Sequence, residues 1–305
     1  MIYILYFVIG ILISSTIELN SPDENNGKYS ATENLFEVKL ESGIKHFYNT
    51  DWVESGKIFK ELKEEYPDDP RPYFFEAMEP FLEYFLIEQT AGLADEFLSK
   101  SEVAVNLSEK RLSKSPGDTT MVLLLSGLHG YRGLVAAGQN RHKIALSSGL
   151  TGFNYTRKLL SLSTDRPSAR IGRGMFYYMV GSIPSGMRWA SNIIGLRADI
   201  EDGFDELKMA ADSDSYISND AKMMLMYLYE KEGRYQEALH FADLLTEELP
   251  DNVIFLFKRA EILEKIGNKS EAMNVYKEIV VKNNPSLSNV TDKSSKKIDE
   301  LEKIR

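Results

Sequence analysis

One pattern occurs twice near the C terminus, 34 residues apart. Gly233 and Gly267 are separated by this distance, and so are Ala238 and Ala272. The same order of a turn, a large aromatic residue and a small residue recurs over residues 49–67. A period of this length predicts a chain of stacked supersecondary units in which each unit buries its apolar face against its neighbours.

Each recurring residue type has a role in a pair of packed helices. A glycine can end the first helix because it adopts the left-handed backbone conformation without strain. A small residue (Ser55, Ala238 or Ala272) lets two helices cross closely, and a large one (Trp52 or Tyr235) fills the space beside the crossing. A proline follows the second helix, which cannot continue through it.

This pattern resembles the tetratricopeptide repeat superfamily, whose unit is a helical hairpin. The resemblance implies an all-α fold, an α–α superhelix (solenoid) of about six hairpins. Pro67, Pro116 and Pro167 lie 49 and 51 residues apart, so the middle hairpins are expected to be longer. Pro80 should kink a helix. The expected hairpins cover residues 33–66, 70–115, 118–165, 168–214, 219–249 and 252–283.

The two ends of the chain differ from the repeats. Residues 2–13 are apolar and are followed by Ser14, Ser15 and Thr16. This run is too short to cross a bilayer but fits a secretory signal peptide, so residues 1–16 are interpreted as a signal peptide or an N-terminal anchor. A buried helix is the third interpretation of the apolar run at residues 2–13. Residues 17–32 are expected to form a flexible leader, and residues 284–305 a solvated polar tail or a frayed capping helix.

Charge is distributed unevenly along the chain. Residues 119–198 hold ten basic residues and one acidic residue, Asp165, whereas the rest of the chain holds 26 basic and 45 acidic residues. The net charge of −10 argues against nucleic acid as a partner. The same segment contains Gly127, Gly130 and Gly133, whose helical spacing predicts close approach of a neighbouring helix. Its arginines either form a binding surface or pair with acidic residues of adjacent repeats.

The register of the repeats indicates which side chains could meet a partner. The resemblance implies that the first helix of each unit lines a concave groove. Counting from the prolines places Arg71, Phe74, Met78, Arg170, Arg173 and Tyr177 there. The last three are spaced i, i+3 and i+7 and so lie on one helix face. Such a groove suits another protein or peptide, including an acidic one, because arginine binds carboxylates through charge-assisted hydrogen bonds.

An alternative use of the same region is peripheral membrane or anionic-ligand binding. Residues 181–196 contain no acid and include Arg188 and Trp189, a pair that could sit at a lipid interface or close over the groove. The glycine-rich centre, this pair and the enlarged middle repeats are similar to a group of exported bacterial tetratricopeptide proteins. That similarity implies a periplasmic or secreted location, in an envelope complex or anchored through residues 2–13.

Catalytic chemistry has little support in the sequence. The four histidines are scattered, no metal-ligand spacing occurs, and the absence of cysteine excludes thiolate nucleophiles and thiolate metal sites. A helical repeat could present two carboxylates to a glycan, but the central segment contains only Asp165. We therefore expect an adaptor with no catalytic residues, cofactor or metal, and keep a glycan-acting enzyme as a remote alternative.

Overall fold

The computed structural model describes residues 31–161, 167–182, 199–213 and 217–303. Within these ranges the chain is helical and has no strand. The α-helices, numbered in chain order, are α1 (Ala31–Tyr48), α2 (Trp52–Glu65), α3 (Pro70–Leu86), α4 (Ala91–Lys114), α5 (Thr119–Gly138), α6 (His142–Ser161), α7 (Pro167–Gly181), α8 (Ile200–Ala211), α9 (Ile217–Lys231), α10 (Tyr235–Glu248), α11 (Val253–Ile266), α12 (Lys269–Lys282) and α13 (Ser288–Lys303).

Helices that follow one another in the chain pack together. Helix α1 packs on α2, α5 on α6, α7 on α8 and α11 on α12, and further contacts join α4 to α5, α6 to α7 and α10 to α11. Packing between sequential neighbours is the rule for helical-hairpin solenoids, so the predicted fold class is confirmed. Helices α4, α5 and α6 have 24, 20 and 20 residues, whereas α10, α11 and α12 have 14 each.

The described helices fall into two compact units. The central unit holds residues 68–81 and the described part of 89–221. The terminal unit holds residues 82–88 and the described parts of 24–67 and 222–305. Helix α3 contributes its first turns to the central unit and residues 82–86 to the terminal unit, and it continues as one helix past Pro80.

Four hairpins turn in the same way. The residue at each turn has a positive φ, and the amide that follows it donates to the carbonyl oxygen five residues earlier, at 2.7 to 3.0 Å. These turn residues are Thr50, Asn140, Gly233 and Gly267. Five positions further on, each second helix buries a small side chain: Ser55, Ala145, Ala238 and Ala272. The predicted left-handed glycines are confirmed, and two hairpins achieve the same turn with Thr or Asn.

Glycines let two of the helix pairs approach closely. A Cβ atom on Gly152 of α6 would lie 3.1 Å from the backbone nitrogen of Gly130 in α5. A Cβ atom on Gly203 of α8 would lie 2.6 Å from the backbone nitrogen of Tyr178 and 2.7 Å from the carbonyl oxygen of Gly174 in α7. The expectation that glycines in this region serve close helix packing is therefore confirmed at Gly130.

In the terminal unit, the first hairpin is hydrogen-bonded to the last repeat. The Thr50 hydroxyl donates to the carbonyl oxygen of Asp251 at 3.3 Å and accepts from the side-chain amide of Asn284 at 3.0 Å. The Asn252 amide donates to the carbonyl oxygen of Tyr48 at 2.7 Å. We call Thr50, Asn252 and Asn284 the polar clasp. A strictly linear repeat array makes no such long-range contact, because each of its repeats touches only its neighbours.

The segment after the last hairpin forms a helix over Ser288–Lys303. Helix α13 packs on α12 and buries Val290, Ser294 and Leu301. Its other positions are mostly charged or polar, which gives it one apolar face and one solvated face. A terminal helix of this kind caps the apolar surface of the last repeat, as repeat proteins require.

Candidate functional site

Helix α7 presents a half-buried stripe of polar side chains. Arg170, Arg173 and Tyr177 are partly exposed, whereas the intervening Ile171 and Phe176 are buried. The i, i+3 and i+7 spacing places the first three side chains on one face, as a helix of 3.6 residues per turn dictates. These are the three α7 residues that the sequence register selects.

A carboxylate from α8 lies between the two arginines. Arg170 Nη1 is 3.2 Å and Arg173 Nη2 is 3.1 Å from the same oxygen of Glu206, Oε2. The three side chains are 19%, 16% and 20% exposed, so the cluster is largely withdrawn from water. Both guanidinium groups supply charge-assisted hydrogen-bond donors to this carboxylate, the kind of donor that binds anionic groups.

The close contact between α7 and α8 positions this cluster. Gly174 directly follows Arg173, and Gly203 precedes Glu206 by three residues. Because neither glycine carries a side chain, the two helices approach closely enough to bring Glu206 to both arginines. Any larger residue at Gly203 would meet backbone atoms of α7 and push this carboxylate away.

The residues selected on α3 have a different environment. Arg71 is paired with Asp69, with Nε to Oδ1 and Nη2 to Oδ2 both at 2.9 Å. Phe74 and Met78 are buried in the core, and Phe74 packs edge-on against Phe75. The register count placed these two side chains on the groove surface, but they fill the apolar face of α3 and are not exposed to a partner.

Other arginines of the basic segment are paired with acidic residues of the preceding hairpin. Arg132 contacts Glu102 and donates to the carbonyl oxygen of Leu98 at 2.6 Å, and Arg141 contacts Asp95. These ion pairs link α4 to the following hairpin and account for part of the charge alternation along the chain. Arg188 and Trp189, and most of the 181–196 connection, lie outside the described residues.

A histidine that is mostly withdrawn from water, His129, lies near Arg132. His129 of α5 stacks on Tyr155 of α6 with ring centroids 5.9 Å apart, and its Nε2 is 3.8 Å from a carboxylate oxygen of Glu109. Neither ring nitrogen has a hydrogen-bond partner among the described residues. Burial, and then the nearby Arg132 charge, lower the pKa of His129 to about 4. The imidazole is therefore neutral at physiological pH.

The spacing of residues in the sequence did not predict that His129 would lie close to Glu109 and Tyr155. Glu109, His129 and Tyr155 come from three different helices, α4, α5 and α6, and the packing of these helices brings them together. Burial and Glu109 raise the pKa of Tyr155, so its phenol stays protonated. Across the described ranges, no three His, Asp or Glu side chains are placed to hold a metal ion.

Comparison with known families agrees with the geometry. Residues 255–283, which span most of α11 and α12, match the family model of the tetratricopeptide repeat. No curated protein matches the chain. Among the described helices, none is both long and apolar enough to cross a bilayer. The matched repeat, the shared turn geometry and the pairwise packing of the helices together support a helical-hairpin solenoid of the tetratricopeptide repeat type.

Proposed function

We propose that this protein is a non-catalytic scaffold that binds an acidic segment of another protein on the α7 face. Tetratricopeptide repeats commonly mediate protein–protein interaction, and an all-α repeat fold of this type is typically non-catalytic. The observation that carries the proposal is the position of the Glu206 carboxylate between Arg170 and Arg173. A surface that already holds one carboxylate through two guanidinium groups has the donors needed to hold a second.

The partner's acidic side chain or terminal carboxylate would accept hydrogen bonds from the guanidinium groups of this cluster. Arg170 and Arg173 already supply donors to Glu206, and Tyr177 adds an aromatic surface one turn away. Charge-assisted hydrogen bonds contribute about 1.5–3 kcal/mol each, so loss of two such bonds weakens binding by more than tenfold. Arg71, Phe74 and Met78 are not part of the proposed surface.

We also propose that the protein acts outside the cytoplasm, with its partner in the cell envelope. This proposal is supported by the apolar run at residues 2–13 and the small residues that follow it, which are typical of secretory signals. An exported scaffold would meet its partner among envelope proteins, so cell fractionation distinguishes this location from a cytoplasmic one.

Binding to matched peptides tests the proposed surface. Removing both arginines would leave Glu206 part-buried without a cation, so the neutralised variant is Arg170→Gln/Arg173→Gln/Glu206→Gln. We expect glutamate-rich peptides to bind the wild type, and at least tenfold more weakly to the neutralised variant, in fluorescence anisotropy titrations. Glutamine-substituted peptides should bind neither protein.

Arg141→Gln provides the matched control. Arg141, in the turn between α5 and α6, also pairs with an acidic residue, Asp95 of α4, but is not part of the α7 cluster, so its loss should leave peptide affinity unchanged. Circular dichroism confirms that each variant is folded. Equal affinity of the acidic peptides for the wild type and the neutralised variant would refute the assignment of the α7 face.

A further inference from the structure

Helix α6 has an exposed face without any acidic residue. Lys143, Leu146, Leu150 and Arg157 are all exposed, and their spacings of three, four and seven residues place them along one stripe. The whole helix, His142–Ser161, contains no Asp or Glu, although the chain has 46 acidic residues. The stripe therefore has a consistent chemical character, apolar in its middle and cationic at both ends.

The two leucines of this stripe are unusually exposed. Leu146 and Leu150 have 58% and 57% of their surface exposed, and Ile144 of the same helix is also exposed. In the part of the chain that the structure describes, nine large hydrophobic side chains are exposed. Three of them lie within the seven residues 144–150. Isolated exposed apolar residues are ordinary, whereas a cluster on one face is typical of an interaction surface.

The cations of the stripe differ from the other basic residues of the central segment. Arg132, Arg141, Arg170 and Arg173 each contact an acidic side chain. By contrast, neither Lys143 nor Arg157 forms an ion pair with any described residue; the Arg157 guanidinium lies 6.0 Å from the Phe153 ring centroid. The α6 stripe therefore carries two cations that no described acidic side chain neutralises.

We propose that this α6 stripe binds an amphipathic helix of a partner protein, one whose apolar face is flanked by acidic residues. Leu146 and Leu150 are one turn apart, the spacing at which apolar ridges of two helices interdigitate. Lys143 and Arg157 are separated by 14 residues, or about 21 Å along the helix axis, which sets the distance between acidic groups on the partner. Charge complementarity with Lys143 and Arg157 therefore favours an acidic partner helix.

A membrane or a second copy of the chain fits the stripe less well. Each basic residue near an anionic bilayer contributes about 1 kcal/mol, so two of them hold a protein of net charge −10 weakly. Two α6 stripes packed against each other would bring four cations together without one acidic residue. An acidic amphipathic helix offers apolar side chains to the leucines and carboxylates to the cations.

The test uses a synthetic 18-residue amphipathic peptide with leucines at helical spacing and glutamates at both ends of the stripe. Two matched peptides replace either the glutamates by lysines or the leucines by serines. We expect the full chain to bind the first peptide at least tenfold more tightly than either control, as measured by fluorescence anisotropy. Leu146→Ser/Leu150→Ser and Lys143→Glu/Arg157→Glu should each weaken that binding at least tenfold.

Controls separate this surface from the α7 face and from other occupants. The neutralised variant of α7 should bind the amphipathic peptide like the wild type, and circular dichroism should be unchanged because the substituted α6 side chains are exposed. Equal binding of all three peptides, or no binding of the acidic one, overturns the proposal. So does leucine-dependent flotation with phosphatidylserine vesicles, or leucine-dependent dimerisation in sedimentation equilibrium.

Discussion

At the scale of single residues, His129 shows how packing sets the chemistry of a side chain. It is surrounded by α4, α5 and α6, with Glu109, Arg132 and Tyr155 as its polar neighbours. Desolvation disfavours the imidazolium, and the charge of Arg132 opposes it further. The nearby carboxylate does not reverse this effect, so the folded protein binds the proton only near pH 4.

This lowered pKa predicts a loss of stability in mild acid. In the unfolded chain His129 takes up a proton near pH 6.5, whereas in the folded chain it does so only near pH 4. Stability is therefore complete above about pH 6.5 and falls as the pH drops toward 4, by at most about 3 kcal/mol. His129→Phe keeps the stacking on Tyr155 and should remove this part of the pH dependence.

Urea unfolding between pH 4 and 7 measures the difference between the two proteins. His142→Phe is the control, because His142 is exposed on α6 and its replacement leaves the surroundings of His129 unchanged. If the wild type and His129→Phe differ by a constant amount across this pH range, His129 does not titrate as its buried position requires.

At the scale of helices and hairpins, the polar clasp is the main feature that goes beyond a linear array. Thr50 has a φ of 57°, which is strained for a β-branched residue. Its buried hydroxyl compensates by bonding the turn before α11 and the Asn284 amide. The same residue therefore closes the first hairpin and holds it against the last repeat.

Thr50→Val tests the clasp because it keeps the branched shape and removes the hydroxyl. The variant leaves the Asn284 amide and the Val253 backbone amide each without one bond, so we expect a loss of roughly 1–3 kcal/mol of unfolding free energy. Hydrogen exchange should also accelerate in the first turn of α11. Thr50→Ser keeps the hydroxyl and should lose less. Equal stability of Thr50→Val and the wild type would show that the clasp contributes nothing.

Much of the hairpin structure could be predicted because a few residue types indicate where a hairpin turns and where its two helices cross. Gly233 and Gly267 identify their turns because glycine is the usual residue at positive φ. The equivalent turn at Asn140, with Ala145 at its crossing, gave no such signal because asparagine is common in many other positions. The polar clasp could not be predicted, since nothing local in the sequence records which distant turns meet.

The candidate site was predictable only where one helix carries it. Arg170, Arg173 and Tyr177 follow from helical periodicity, and the structure places all three on one face of α7. Glu206 could not be assigned to them, because its position depends on the contact between Gly174 and Gly203. Phe74 and Met78 were assigned to the wrong environment, since a register count does not say how deeply a helix is buried.

At the scale of the whole molecule, the basic residues of an acidic chain divide into two groups. Most arginines of the central segment that the structure describes pair with acidic residues of other helices and so join helices within and between hairpins. The cluster on α7 holds two arginines around one glutamate, and the stripe on α6 carries two cations that form no ion pair with a described residue. A scaffold built this way offers two separate cationic surfaces for acidic segments of other proteins.

Affinity capture from cells that produce the protein tests the central claim most directly. The bait is the full chain as the wild type, as the neutralised variant of Arg170, Arg173 and Glu206, or as Arg141→Gln. We predict that the wild type and Arg141→Gln recover the same protein from the envelope fraction and that the neutralised variant does not. Recovery of the same proteins by all three baits, or recovery from the cytoplasmic fraction only, would contradict the proposed scaffold function of the α7 face in the envelope.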